Sequence, residues 1–319
     1  MRAISPRIAA LYASILLLAG CAGPLPLPVP PTPTPNPSAP VTTMNHQHGE
    51  GGPGNVRLIT RYGGPVVSTL TTTPANPALN EPFSIDYLFK DAAGLPITPD
   101  RLAVTHEKLM HLILVSQDLQ TFQHLHPVDK GNGLYDVETS IPVSSKYILY
   151  NEFVTAEGVT QIERNVFASE GAETADTPAV LTQTLNTPVV WNDLQGMLST
   201  TSPRIRRRLP IAFFLNVNTM DGQPVTDMEP WLGAACHVVI VSADTMQFAH
   251  THGDVPGGAM SGDMSNMNMS MPMSAPPEKF GPRVEFTHTF MQPGMYRVWV
   301  QFTYKGEIAT FGFNVKVDK

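Results

Sequence analysis

The chain has 319 residues, a net charge of -7, 42% hydrophobic and only 15% charged residues. That length admits two domains of ordinary size with real cores, and 31 prolines with 24 glycines point to turns, linkers and β-structure rather than long helices. The acidic balance argues against nucleic acid as a partner and is compatible with cations.

Residues 1–20 read as a signal peptide, to be left out of fold reasoning. Arg2 and Arg7 form its basic region, and Ile8 to Leu18 form an apolar run too short to span a bilayer. The run ends in Leu17-Leu18-Ala19-Gly20-Cys21, which resembles the bacterial lipobox. The resemblance implies cleavage before Cys21 and lipidation of that cysteine, hence an extracytoplasmic protein anchored to a bacterial membrane. An ordinary secretory signal with an incidental cysteine is the alternative. Ala22, where an Asp would stand otherwise, points to an outer membrane facing the periplasm, or to the cell surface. Cys236 is then the one remaining thiol, so no intrachain disulfide is expected.

Residues 21–55 read as a disordered proline-rich tether. Nine prolines fall within residues 24–40. A polyproline rise of roughly 3.1 Å per residue would lift the body up to about 50 Å off the membrane. The tether ends in a polar tail, Met44-Asn-His46-Gln-His48, in which His46 and His48 are expected to capture metal weakly.

The fold expected beyond the tether is all-β, as two tandem β-sandwiches. Domain 1 covers residues 56–170. Its strand candidates are 82–89, 109–116, 121–126, 134–139, 147–155 and 160–168, rich in β-branched and aromatic residues and bounded by turn residues. Domain 2 covers 176–319 and repeats the first: 147–153 aligns with 296–302, 149 positions on. Arg204, Arg206, Arg207 and Arg208 make a basic knot expected at a solvated strand edge.

The repeat preserves its histidines. His111, His124 and His126 recur as His237, His250 and His252, each 126 positions on, and use six of the ten histidines. Residues two apart in a strand share a face. An even loop in the hairpin 109–126 would set His111 opposite His124 or His126, and directly opposed side chains lie about 4.5–5.5 Å apart at Cβ. Each triad could then converge on one ion; an odd loop would turn His111 to the other face. A lone histidine here would read as a polar residue at a sheet rim, but six at one spacing read as metal ligands. His106 and His288 read either as a fourth ligand or as surface residues, with the surface preferred, and Met110 and Cys236 are expected on the face opposite their neighbouring histidines.

The identity of the metal rests on an insertion at 257–278 that the first copy lacks. Met260, Met264, Met267, Met269, Met271 and Met273 stand among Ser, Asn, Asp and Gly. Thioether sulfur is soft and selects Cu(I), and imidazole suits both copper states. A low-complexity disordered insertion is the alternative. The run resembles the methionine motifs of periplasmic copper-handling proteins, which implies Cu(I) or Cu(II) rather than zinc.

The segments His111–Pro127 and Trp231–His252 resemble secreted bacterial proteins described as YtkA-like or CopC-like, with an immunoglobulin-type sandwich. The resemblance implies a metal-binding module with copper as leading metal and no known reaction. The second copy departs from it with Gly253 in place of Pro127. The function expected is therefore a membrane-anchored copper chaperone, buffer or resistance factor. Its partners would be the membrane, through lipidated Cys21, and another extracytoplasmic copper-handling protein. A copper-dependent redox enzyme and a structural or adhesive surface lipoprotein are the alternatives. No Ser-His-Asp, paired-carboxylate or phosphate-loop signature argues for an enzyme.

Overall fold

The computed structural model describes residues 56–61, 64–172, 177–256 and 275–319. Cys21, His46, His48 and the six methionines of the insertion lie outside them. Among the described residues no helix is long and apolar enough to cross a membrane.

The first half forms two sheets. One has the strand order β1 (Val56–Arg61), β2 (Gly64–Thr73), β3 (Phe83–Lys90), β8 (Leu134–Thr139), β7 (Val128–Gly131). The other runs β10 (Thr160–Ala168), β9 (Lys146–Thr155), β5 (Met110–Ser116), β6 (Phe122–Leu125), with the short β4 (Leu102–Ala103) on β9. The second half repeats this plan. One sheet is β11 (Pro188–Trp191), β12 (Leu194–Thr200), β14 (Pro210–Thr219), β17 (Arg283–Thr289). The other is β13 (Ile205–Arg206), β19 (Glu307–Asp318), β18 (Gly294–Tyr304), β15 (Cys236–Ser242), β16 (Phe248–Gly253). The protein is thus all-β with two tandem sandwiches, as the strand spacing predicts. The six strand candidates of the first half are found within a residue or two at each end. The structure adds β1, β2, β4 and β7. In β2, among the residues whose side chains are described, Val66 and Leu70 put apolar side chains into the core, with Ser68 between them, so its alternation is weak in the sequence. The arginine knot does flank an edge strand, β13, which pairs only with β19.

Each sandwich has its own core. Met110, Leu112 and Leu114 face Phe83, Ile85, Tyr87 and Phe89 in the first. Cys236, Val238 and Ile240 face Phe213, Leu215 and Phe286 in the second. Cys236 is fully buried there and its thiol is pushed up to about 12 by burial, so it is an inert core residue on the face opposite His237. Gly253 pairs with Cys236 across β15 and β16; a Cβ at 253 would sit 2.6 Å from the Cys236 Sγ and 2.8 Å from the Glu285 carbonyl oxygen. The glycine lets β16 run to residue 253, whereas in the first copy β6 stops at Leu125, two residues short of Pro127.

The intervening positions of β5 and β15 are also buried, and this joins the halves. Ile113, Val115, Ile148 and Tyr150 of the first sandwich pack against Val239, Val241 and Trp299 of the second. Phe122 stacks on Trp299 at 4.6 Å and Phe248 stacks on Tyr150 at 4.4 Å. Phe122 and Phe248 are repeat equivalents, as are Tyr150 and Trp299, so each hairpin lays its ring on the other sandwich. The described residues from 56 onward accordingly form one compact unit. Trp299 is the largest side chain in this layer. Trp299→Ala is expected to lower unfolding stability by about 3–5 kcal/mol, as for other emptied aromatic sites; a urea midpoint within error of the parent's would contradict this packing.

Candidate metal centre

Hairpin geometry sets the histidines. In β5–β6, Leu112 pairs with Leu125 and Ile113 with His124, the register that puts His111 opposite His126. In β15–β16, His237 pairs with His252 and Val239 with His250. Both connecting loops are even in length, four residues between Ser116 and Thr121 and four between Ser242 and Gln247. Each serine closes its own loop. Ser116 donates to the Asp118 carboxylate and accepts from the Thr121 N–H, and Ser242 does the same with Asp244 and the Gln247 N–H. The turn takes a left-handed residue at Leu119 and Thr245. The even loop is what keeps His111 and His237 on the faces of their His-x-His pairs.

That face is the inter-sandwich face, and there the two triads meet, a point that the spacing in the sequence leaves open. His111 lies 5.1 Å from His250 and His124 5.6 Å from His237, ring centre to ring centre. Three groups of imidazole nitrogens fall within ligand reach of one another: His111 with His124 and His126, His106 with His237 and His252, and His124 with His237 and His250. The second copy therefore closes only with help from the first. Of the two readings of His106, the preferred surface one gives way to the ligand one: it stacks on His252 at 3.6 Å. It is carried there by the turn after β4, where it takes φ 47. His288 sits apart, against Phe290 on β17.

The protonation of the rings follows from their neighbours. The outer nitrogens of both core histidines face backbone carbonyls, which only accept: His111 Nε2–H donates to Thr105 O at 3.1 Å, and His237 Nε2–H to Trp231 O at 3.0 Å. The outer nitrogens of the hairpin partners face side chains from the other sandwich. His124 Nδ1–H donates to Gln301 Oε1 at 3.0 Å, and His250 Nδ1–H to a Glu152 carboxylate oxygen at 2.6 Å. The inner nitrogens then meet lone pair to lone pair. His111 Nδ1 lies 3.1 Å from His124 Nε2, and His237 Nδ1 lies 3.1 Å from His250 Nε2. His126 Nε2 and His252 Nε2 are buried with no hydrogen-bond partner. Two neutral imidazoles in this arrangement repel unless a cation sits between them, and outer hydrogen bonds of this kind orient metal-bound histidines.

Glu152, Gln301, Thr105 and Trp231 escape the sequence reading. The available signal was in β5 and β15, which are apolar at every position but the histidine and the last serine. A strand buried on both faces must have a second layer over it, and that layer brings Glu152 and Gln301.

Burial opposes charging these rings. It pulls His111 down to about 3 and His126 to about 4, and holds His106, His124, His237 and His252 below their ordinary value of 6.5, with neighbouring histidines adding to the effect. A histidine lowered by folding contributes stability that is present in full above its unfolded value and is lost as pH falls toward the folded one. The metal-free protein is therefore expected to lose stability steeply from about pH 6.5 downward, by about 1.4 kcal/mol per pH unit for each histidine forced to charge. Urea midpoints that stay level between pH 7 and pH 5 would contradict the buried neutral cluster.

No curated protein matches the chain in sequence. Solved structures with a similar arrangement include the Escherichia coli adhesin FdeC, at 12% identity and a TM-score of 0.25, covering 82% of this chain and 66% of that one. The Yersinia pseudotuberculosis adhesin InvE is similar at 12% identity and a TM-score of 0.21, covering 79% and 59%. MtrC from Shewanella baltica OS185 is similar at 6% identity and a TM-score of 0.24, covering 79% and 69%. The chain spans less than two thirds of the length of both adhesins. The sequence profile of a domain of unknown function, DUF8832, matches residues 68–170 and 197–319, most of both sandwiches and well over half of the chain. The protein belongs to the DUF8832 family.

Proposed function

We propose that this chain is an extracytoplasmic metal-binding protein whose metal is copper, and that it acts as a copper chaperone, buffer or resistance factor. The observation that carries the reading is the pair of 3.1 Å contacts between imidazole nitrogens whose outer hydrogens are committed elsewhere. Burial disfavours a proton on His111, His124 and His237, and a soft or borderline metal ion is the other cation that fits imidazole donors. Neutral imidazole is also the form that binds metal.

Copper is preferred to zinc because of the run Met260–Met273, whose thioethers favour Cu(I) and need no deprotonation. Such a run, following His250-Thr-His252 in the sequence, suits a protein that collects copper weakly and passes it on to histidines, and another extracytoplasmic copper-handling protein would be the donor or acceptor. Lipidated Cys21 and the proline-rich tether would hold the body at a membrane surface. Surface adhesion, the role of the adhesins named above, is the second reading. A sandwich fold is compatible with both and decides neither, because function resides in the site.

The test is metal analysis of the chain from Cys21 onward, purified without an affinity tag. It is expected to bind copper with a sub-micromolar dissociation constant, and changing His124 and His250 together to Ala is expected to abolish most of that binding. A parent protein that binds no copper at that level, or a double variant with unchanged stoichiometry, would refute the centre and leave adhesion as the reading. For the anchor, Cys21→Ala is expected to move the protein from the membrane fraction to the soluble one; unchanged fractionation would contradict lipidation at that residue.

A further inference from the structure

The arginine knot takes no part in the metal centre. Arg204, Arg206, Arg207 and Arg208 stand on the connection from β12 to β14, four of the 20 basic residues within five positions of an acidic chain. All four are exposed, while Ile205 between them is buried in the core and anchors the connection. Among the described residues no carboxylate makes an ion pair with any of the four. Asp318 is a backbone neighbour of Arg206, and the exposed Lys316 and Lys319 stand close to it in β19 and at the chain end. β13 is two residues long, and so short an edge needs no guard of four charges. The segment is also held in one shape. Thr200 Oγ1 donates to Ser202 O at 2.6 Å, Ser202 Oγ to Arg204 O at 3.0 Å, and the Arg208 N–H to Phe290 O at 2.7 Å. The last bond brings the stretch with Leu209 against the turn with Met291, and these two side chains are 54% and 55% exposed. A cleft of about 310 Å3 lies among Ser202, Arg204, Arg206, Leu209 and Ile211.

Strand register fixes where this patch lies. Ile205 pairs with Val317 and Val317 with Gly294, at the start of β18. His237 pairs with Gln301, seven positions further along β18, so the histidines lie roughly 23 Å away at the usual 3.3 Å per residue. The hairpin turn Ser242–Gln247 is at the arginine end, since Ser242 pairs with Tyr296. The first sandwich points the same way: Gln117 Nε2 donates to Thr177 O and the Ala179 N–H to Ala243 O, so the turn Ser116–Thr121 shares that end. β1 sets out from the same end. Val56 is opposite Thr69, and β2 continues from there to Thr73, beside the Phe83 and Thr139 that lead to β9 and Ser116. The tether that precedes Val56 in the sequence thus joins the body at the end that bears the arginines.

We propose that the arginine end rests on an anionic lipid surface, with Arg204, Arg206, Arg207 and Arg208 against the head-group phosphates and Leu209 and Met291 entering the head-group boundary. The body then stands with its histidine centre turned away from the membrane. This rests on the membrane part of the reading above and not on copper. Lipid phosphates supply the negative charge that the four guanidinium groups lack nearby, and each basic residue at such a surface is worth about fivefold in partitioning. Exposed apolar side chains among basic ones add burial in the head-group layer. The other residues of the chain carry 27 acidic against 16 basic groups, so an approach that does not present this patch is repelled.

The experiment sediments the unacylated chain from Cys21 with vesicles of phosphatidylglycerol and phosphatidylcholine in equal parts, and with phosphatidylcholine alone. The proteins compared are the parent, Arg204→Gln with Arg206→Gln, and Arg204→Lys with Arg206→Lys. The parent is expected to bind the mixed vesicles and not the neutral ones, and to release them as salt rises. The glutamine pair should lower the partition coefficient by about 25-fold, and the lysine pair, which keeps the charge, by less than about threefold. Equal binding to both vesicle types, a glutamine pair that binds as the parent does, or a lysine pair that loses as much as the glutamine pair would overturn the proposal. So would binding of inorganic phosphate, seen by calorimetry and lost in the glutamine pair, with no binding to vesicles, because the patch would then serve a small anion. The lipid on Cys21 is absent from this assay, so its result judges the arginine end alone, while the fractionation of Cys21→Ala judges the anchor.

Discussion

The apolar layer between the two sandwiches is the constraint on which the rest depends. Ile113, Val115, Val239, Val241 and Trp299 would be solvent-facing if either sandwich stood alone. Their burial against each other drives the sheets back to back. The histidines occupy the same faces of the same strands, so the packing that hides the aliphatic side chains also brings the imidazoles together and removes them from water. Desolvation then opposes charging of His106, His111, His124, His126, His237 and His252, and the acceptors around the rings settle which nitrogen carries hydrogen. A single hydrophobic interface thus sets position, protonation and ligand availability.

The reciprocity of the contacts follows from near two-fold placement of the repeats. Phe122 meets Trp299 as Phe248 meets Tyr150, and Gln301 meets His124 as Glu152 meets His250. Divergence then acts at a few equivalent positions without disturbing the frame. Glutamate stands against glutamine at 152 and 301, histidine against leucine in the turns at 106 and 232, and proline against glycine at the hairpin ends. The last of these is structural, since Gly253 answers to the crowding of Cys236 and the Glu285 backbone. The first two bear on the centre. A duplicated unit that began with equal halves would acquire unequal ones by such steps.

Much of the fold was legible because β-structure writes itself locally. Alternation, turn residues and the exact repeat of the histidine hairpin located six strands of the first half; of the two loop parities left open by the spacing, the structure takes the even one, which sets His111 on the face of His124 and His126. What was not legible was the meeting of the two triads. Hairpin geometry is local, whereas the stacking of one sandwich on another is a long-range choice that no spacing encodes. The trace it left was the burial of β5 and β15 on both faces, visible as Leu-Ile-Leu-Val and Val-Val-Ile-Val. His106, just before β5, stayed open between a fourth ligand and a surface residue for the same reason: only the docked second sandwich makes it a neighbour of His252. Glu152 and Gln301, lying within otherwise ordinary strands, gain their meaning across the interface.

The central claim is that the two histidine sets form one centre between the sandwiches. The most direct measurement is an anomalous-scattering map from crystals of the copper-loaded chain. The account predicts copper density within the cluster, within coordination distance of imidazoles from both repeats, and between the sheets that carry β5 and β15. Copper found only outside that interface, or bound to one repeat's histidines with the other's turned away, would contradict it.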